Sequence, residues 1–331
     1  MVEPVHDEDL LDFLRDVAAG RRQFLELEGD VDRLTPDEAL RRGLPPRPPF
    51  ETTPYRLWRR LATSALVMRA SPGFRPTVAV RTGYNRLGLK GHLETSRNWS
   101  GAVISSPYRS KPFEYLIGNW TIPDFDAPAG GTRDEYACST WIGFDGHRRK
   151  SVSLPQLGTV QQVARSGGSG PFQRTVSAWW QWWHPDDTKG PVYDDFANMC
   201  VEIGHEVGAF MFAIPRIGVL LKMANISTGE ATPPVLVPPP WPALEPRLLD
   251  AECILERPKR VALPQTNYMP PAFEATTFRC YAALRGETRF RTMRGGRLIR
   301  MVHSRDDEIR TIATPDASMN RSAVRVRCCI P

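Results

Sequence analysis

The 331-residue chain has no apolar run long enough to cross a bilayer. Its longest such runs, Ala209 to Ile214 and Ile217 to Leu221, are broken by Pro215, Arg216 and Lys222, so no membrane partner is expected. Cysteine is sparse. Cys138, Cys200, Cys253, Cys280, Cys328 and Cys329 form no CxxC and no Cys/His cluster at metal-ligand spacing, so neither a metal nor a cofactor is expected and no disulfide framework is implied. The Met1 end is acidic and lacks a basic region, an apolar core and a small-residue cleavage site in succession, so no secretory signal is readable there. Asp-Thr-Gly, Asp-Ser-Gly, HExxH and GxSxG are also missing, which sets aside aspartic-peptidase, zinc-peptidase and serine-hydrolase readings. No internal repeat is evident.

Glycine and proline are plentiful, 25 and 31 residues, and favour a loop-rich β protein over a helical bundle. The net charge of +6 is unevenly spread: acids crowd the start, while Glu51 is the only acid between Arg41 and Lys90. That basic stretch carries no nucleic-acid-binding motif, so no nucleic-acid partner is expected. Leu10, Leu11, Phe13, Leu14, Val17 and Phe24 recur at helical spacing and predict a helix over residues 7–28. Thr35-Pro36-Asp37-Glu38 is a helix start with a capping box, and Gly43 marks its stop. A proline-rich linker, Leu44 to Pro54, precedes a third predicted helix over Tyr55 to Arg69.

Beyond Asn98 the period changes. Short β-prone runs at Thr175–Ala178, Met199–Ile203, Val207–Ile214, Val219–Ala224, Ala275–Tyr281, Leu298–His303 and Ala323–Cys328 are bounded by turn residues. Thr232 to Arg247 is too proline-rich for a central strand and is expected to be a surface loop beside a cleft. Two units follow: a helical N-terminal extension, residues 1–94, and an all-β domain, residues 95–331.

Within that domain stand NWSGAV (from Asn98), GNWTIP (from Gly118), STWIGFDG (from Ser139), SLPQLGT around Gln156, WWQWWHPD (from Trp179) and LDAECILERP around Glu252. In this order and spacing the strings resemble the glutamic peptidases, or eqolisins, a family of acid endopeptidases. The resemblance implies two packed antiparallel sheets related to the concanavalin-like jelly roll, polypeptide substrates, a secreted monomer and a removable prosegment in residues 1–94, for which a permanent helical subdomain is the alternative. It also implies that Glu252 acts as base and then acid while Gln156 holds the water and donates to the oxyanion. Trp141 is expected to contact substrate, Asp145 to brace the site, and Trp179 and Gln181 to line it.

Amide hydrolysis needs these parts: a water made nucleophilic, a donor for the oxyanion and an acid for the leaving amine. Strand alternation puts Glu252, Ile254 and Glu256 on one face, with Ala251, Cys253 and Leu255 on the other. Trp179, Gln181 and Trp183 likewise share a face. Cys253 stands where the family has Trp, and Gln181 where fungal relatives have Glu, which removes one charge near the site. The cysteines that form the family's disulfide are not matched here. Two other functions are compatible with a β-sandwich of this kind: a non-catalytic carbohydrate- or peptide-binding module, and an inactive relative acting as an interaction protein.

Overall fold

Alternating apolar side chains along the strands divide the β domain into an inner and an outer face. The computed structural model describes residues 8–66, 86–90, 93–108, 110–147, 152–166, 170–185, 192–195, 199–259, 266–305, 308–316 and 323–330. In chain order the principal strands are β1 (Leu93–Ser96), β2 (Trp99–Ser105), β3 (Phe113–Thr121), β4 (Glu135–Phe144), β5 (Leu154–Arg165) and β6 (Phe172–Trp183). They continue as β7 (Glu206–Ile214), β8 (Gly218–Asn225), β9 (Val235–Val237), β10 (Asp250–Glu256), β11 (Ala275–Leu284), β12 (Arg297–Arg305), β13 (Glu308–Pro315) and β14 (Val324–Cys328).

One half of the sheet runs β6-β5-β4-β10-β2-β12, all antiparallel. The other runs β14-β11-β3-β7-β8-β9, also antiparallel. Pairing of β12 with β13 and β13 with β14 joins the halves into one continuous sheet that folds over on itself. The two layers expected from the sequence are therefore linked by hydrogen bonds along one side. Strand β1 departs from the antiparallel pattern and runs parallel to β12.

Between the halves lies the main core. Leu157, Ile142, Trp180, Trp182, Ala251, Cys253 and Leu255 from the first half are buried in one cluster with Leu116, Met211, Leu221 and Phe278 from the second. Trp120 Nε1 crosses the gap and donates to Thr159 Oγ1 at 3.0 Å. All of this is alternation at work: the neighbours Trp179 and Gln181 point to the outer face, and Cys253 packs inward.

Helices α1 (Glu8–Ala18), α2 (Pro36–Arg41) and α3 (Thr53–Thr63) cover the outer face of the second half. Leu10, Phe13, Leu14, Leu57, Trp58 and Leu61 form a second cluster with Tyr115, Ile117, Phe210, Phe212 and Leu220. Helix α2 starts on the predicted capping box: Thr35 Oγ1 accepts from Glu38 N, and Glu38 accepts from Thr35 N. Helix α1 is shorter than predicted. Gly20 at φ 70° turns the chain, and the N–H groups of Arg21 and Arg22 both donate to the Asp16 carbonyl, which ends the helix while Phe24 still reaches the cluster. Helix α3 also ends earlier than predicted, at Thr63: Ser64 N–H donates to the Arg60 carbonyl and Ala65–Leu66 turns extended to pair with Glu230–Ala231, while the rest of the predicted span and most of the basic stretch beyond, residues 67–85, lie outside the described residues. Among the described residues no helix is long and apolar enough to cross a membrane.

Two further expectations differ. Met199–Ile203 is not a strand, because its backbone bonds to side chains: Asn225 Nδ2 donates to the Cys200 carbonyl, and Glu202 N donates to His205 Nδ1. Part of the proline-rich stretch does pair, as β9 on the free edge of β8, where a missing N–H is tolerated. Asn98 and Asn225, which head glycosylation triplets, are buried.

Lys222 lies on β8 in register with Phe210, on the helix-covered face, and is only 3% exposed. Loss of hydration pushes its ammonium down to about 8. Lys222→Met should therefore stabilise the fold by about 1–3 kcal/mol at neutral pH, read as a raised midpoint in chemical denaturation; an unchanged or lowered midpoint contradicts this.

Candidate active site

A single row of residues crosses the outer face of the first half. In register across the strands it reads Gln181, Gln156, Gly143, Glu252, Val103, Arg297. Gln156 and Glu252 thus stand two strands apart, about 9–10 Å between Cα atoms at ordinary strand spacing. Only a glycine separates them. A Cβ on Gly143 would already lie 3.0–3.1 Å from the Trp141 ring, Leu154 and the Pro155 carbonyl, so a larger residue would fill the gap between the two functional side chains. Gly158 serves Trp141 in the same way, since a Cβ there would meet Trp141 Cβ at 2.5 Å.

Gln156 and Glu252 are both fully buried. One amide hydrogen of Gln156 Nε2 is donated to Gln181 Oε1 at 3.1 Å. That fixes the amide plane and leaves the second hydrogen and Oε1 uncommitted. Glu252 Oε1 accepts the backbone N–H of His147 at 3.0 Å. Glu252 Oε2 and Gln156 Oε1 are buried without a hydrogen-bond partner among the described residues. Buried oxygens in that state are rare and call for a water or a ligand group. Burial pushes the Glu252 carboxyl well above its ordinary range, with the Asp250 and Asp145 charges adding in the same direction and the His147 N–H opposing. Such a group holds a proton readily and can return it, which suits one that must act as both base and acid.

Asp145 sits at the end of β4 in left-handed backbone, φ 63°, with Gly146 following at φ 94°. Its carboxyl accepts the N–H groups of Leu248 at 2.7 Å and Leu249 at 2.8 Å, and its own N–H donates to the Asp250 carbonyl at 3.0 Å. These bonds hold the chain as it enters β10. Burial raises Asp145 to about 6 although the backbone N–H groups pull it down.

Trp141 and Trp179 pack on the same outer face with Trp99, Leu154 and Ile254. Trp141 is fully buried, and Trp179 Nε1 has no partner among the described residues. The indoles of Trp99 and Trp141 meet edge to face at 5.0 Å and both donate to the Glu256 carboxyl at 2.8 Å. Asn98 Nδ2 adds a third bond at 3.3 Å. Sequence reasoning placed Glu256 on the Glu252 face without a role; its partners come from strands more than a hundred residues away, and no local signal links them. His147 and Glu94 were missed too. His184 is the first residue beyond β6 and packs edge to face on Trp241 at 4.8 Å. Among the described residues no group of three or more His, Cys, Asp or Glu side chains is arranged to hold a metal.

The model of the peptidase A4 family matches residues 97–327. The chain belongs to the peptidase A4 family. Its fold is similar to that of scytalido-glutamic peptidase solved with a transition-state-analog inhibitor, at TM-score 0.52 and 17% identity over 70% of this chain and 98% of that one. A second such structure, with a peptide-based transition-state analog, gives TM-score 0.52 and 18% identity over the same shares. SCP-B, an eqolisin in complex with the tripeptide Ala-Ile-His, gives TM-score 0.50 and 15% identity, again over 70% and 98%. No curated protein matches the chain. The A4 match begins at β2 and so excludes the helices and β1.

Burial also lifts Glu256, to about 8, against the pull of Trp99, Trp141 and Asn98. The folded A4 chain keeps this proton down from about pH 8, whereas the unfolded chain keeps it only below about 4.5. Stability from this group is therefore complete below about 4.5 and is lost as pH rises through 8; Asp145 acts in the same sense between about 4 and 6. The melting midpoint should fall as pH rises from 5 to 9, and Glu256→Gln should remove much of that slope, on the order of a few kcal/mol, while lowering stability in acid because an amide accepts at one atom only. Thermal melts of both proteins across this range decide it; parallel curves would rule out Glu256 as the titrating group.

Proposed function

We propose that this A4 peptidase is a glutamic endopeptidase in which Glu252 and Gln156 act on one water. Glu252 Oε2 takes a proton from the water as it attacks the scissile carbonyl, and the uncommitted Nε2–H of Gln156 donates to the oxyanion. Glu252 then returns the proton to the leaving amine. The observation that carries this reading is the pair of buried, unpartnered oxygens, Glu252 Oε2 and Gln156 Oε1, on residues that stand on either side of one glycine in a single register row. A water held by both would have an acceptor on each side. Gln181 keeps Gln156 in its rotamer, and Asp145 fixes the entry of the Glu252 strand.

A carbohydrate-binding platform is less well supported, because the tryptophans that would stack on a sugar, Trp141 and Trp179, are buried at 0% and 3% exposure. The helices of the extension, for their part, read as a lasting part of the fold and not as a plug in the cleft. Leu10, Phe13, Leu14, Leu57, Trp58 and Leu61 are committed to the sheet face opposite the site, and Arg47, Arg59 and Arg60 bond to Asp32, Asp32 and Glu206.

Glu252→Gln and Gln156→Ala should each lower kcat at least a hundredfold on a denatured protein substrate with little change in melting temperature; a folded Glu252→Gln protein that cleaves at near wild-type rate would refute the mechanism. Gln181→Glu should keep the bond to Gln156 and place a charge in the row of Glu252. The acidic limb of kcat/KM, which reports ionisation of the base, should then move to higher pH. An unmoved limb would mean that position 181 lies outside electrostatic reach of Glu252.

A further inference from the structure

Glu94 precedes the A4 match, yet it is fully buried beside the site. It lies on β1, in parallel register with Ile299 of β12, and both of its oxygens are bonded. Oε1 accepts from Arg297 Nη1 at 2.8 Å, and Oε2 accepts from His147 Nε2 at 3.0 Å. The same His147 donates its backbone N–H to Glu252 Oε1. His147 follows the left-handed pair Asp145 and Gly146, so the turn that carries it is tied on one side to β10 through Asp145 and on the other to β1 through its ring.

We infer that Glu94 is a positioning residue of the active site: with Arg297 it anchors the His147 ring, so that the His147 N–H occupies Glu252 Oε1 and leaves Oε2 to face the water. The inference rests on the mechanism proposed above. Its physical basis is that the terminal torsion of a glutamate is broad, so a carboxyl held at neither oxygen rotates freely. One fixed N–H on Oε1 selects a single orientation. A reacting group displaced by about 1 Å loses rate steeply while substrate binding is spared. Arg297 contributes twice: it ends the register row of Glu252, and its guanidinium makes it tolerable for a carboxylate to be buried at position 94.

The test uses the full chain. Glu94→Ala and His147→Ala should each lower kcat about tenfold or more with KM changed less than about twofold. Glu94→Gln, whose one amide oxygen can accept from the ring but not also from Arg297, should recover part of the rate. The double variant should be no worse than either single one, since both remove the same anchor. Hydrogen exchange gives a readout that does not depend on turnover: protection of the His147 amide should fall at least tenfold in Glu94→Ala and stay near the wild-type level in Glu252→Gln, which keeps an acceptor. If wild-type protein cleaves nothing, the proposed mechanism fails, and the exchange measurement still decides the role of Glu94. Unchanged protection at His147, losses that add in the double variant, or a rate that falls only in step with melting temperature would each overturn the inference. Should Glu94→Ala not fold, Arg297→Met, which withdraws the cation alone, is read by the same measurements.

Discussion

The register of β4 against its two neighbours is the constraint on which the site depends. Gly143 stands opposite Gln156 on one side and Glu252 on the other, and Trp141 stands opposite Gly158 and Ile254. A slip of one residue on either side would turn the functional side chain into the core and bring Leu157 or Cys253 to the outer face. Burial on both faces forbids that slip. The inner face holds Ile142, Leu157 and Cys253, while the outer face holds Trp141, Leu154 and Ile254. The accuracy of the site is thus inherited from hydrophobic packing around it.

Polar groups finish what packing begins. Three carboxyls on or beside this face, Asp145, Glu252 and Glu256, are at least nine-tenths hidden, and burial shifts all three upward. They differ in their donors. Asp145 and Glu256 have several N–H partners each and are structural pins, whereas Glu252 has one bonded oxygen and one bare. In the mechanism proposed above, that unequal bonding is what sets Glu252 apart from the other two.

Much of this was legible in the sequence. Alternation assigned Glu252, Ile254 and Glu256 to one face and Cys253 to the other, and the Thr35 capping box located α2 to the residue. The Gln156 and Glu252 strings identified the family that the match over residues 97–327 bears out. What could not be read depended on distant partners. Nothing near Glu94 in sequence indicates Arg297 or His147, and nothing near Glu256 indicates two indoles from β2 and β4. The end of α1 was misjudged because helical periodicity persists to Phe24, while the backbone itself stops at Gly20 and lets Phe24 reach the same apolar cluster from an extended segment.

The fold-over of the sheet through β13 and β14 has a mechanical consequence. Because the two layers share a hydrogen-bonded seam along one side, they cannot slide past each other as independent plates, and any relative motion must hinge about that seam. The seam lies next to β12, which carries Arg297, whereas β6 with Gln181 lies far from it, followed outward by the short strand Val192–Asp195. Breathing of the two layers about this seam would therefore displace Gln181 and Gln156 more than Glu252, so the spacing along that row is most sensitive at its end far from the seam.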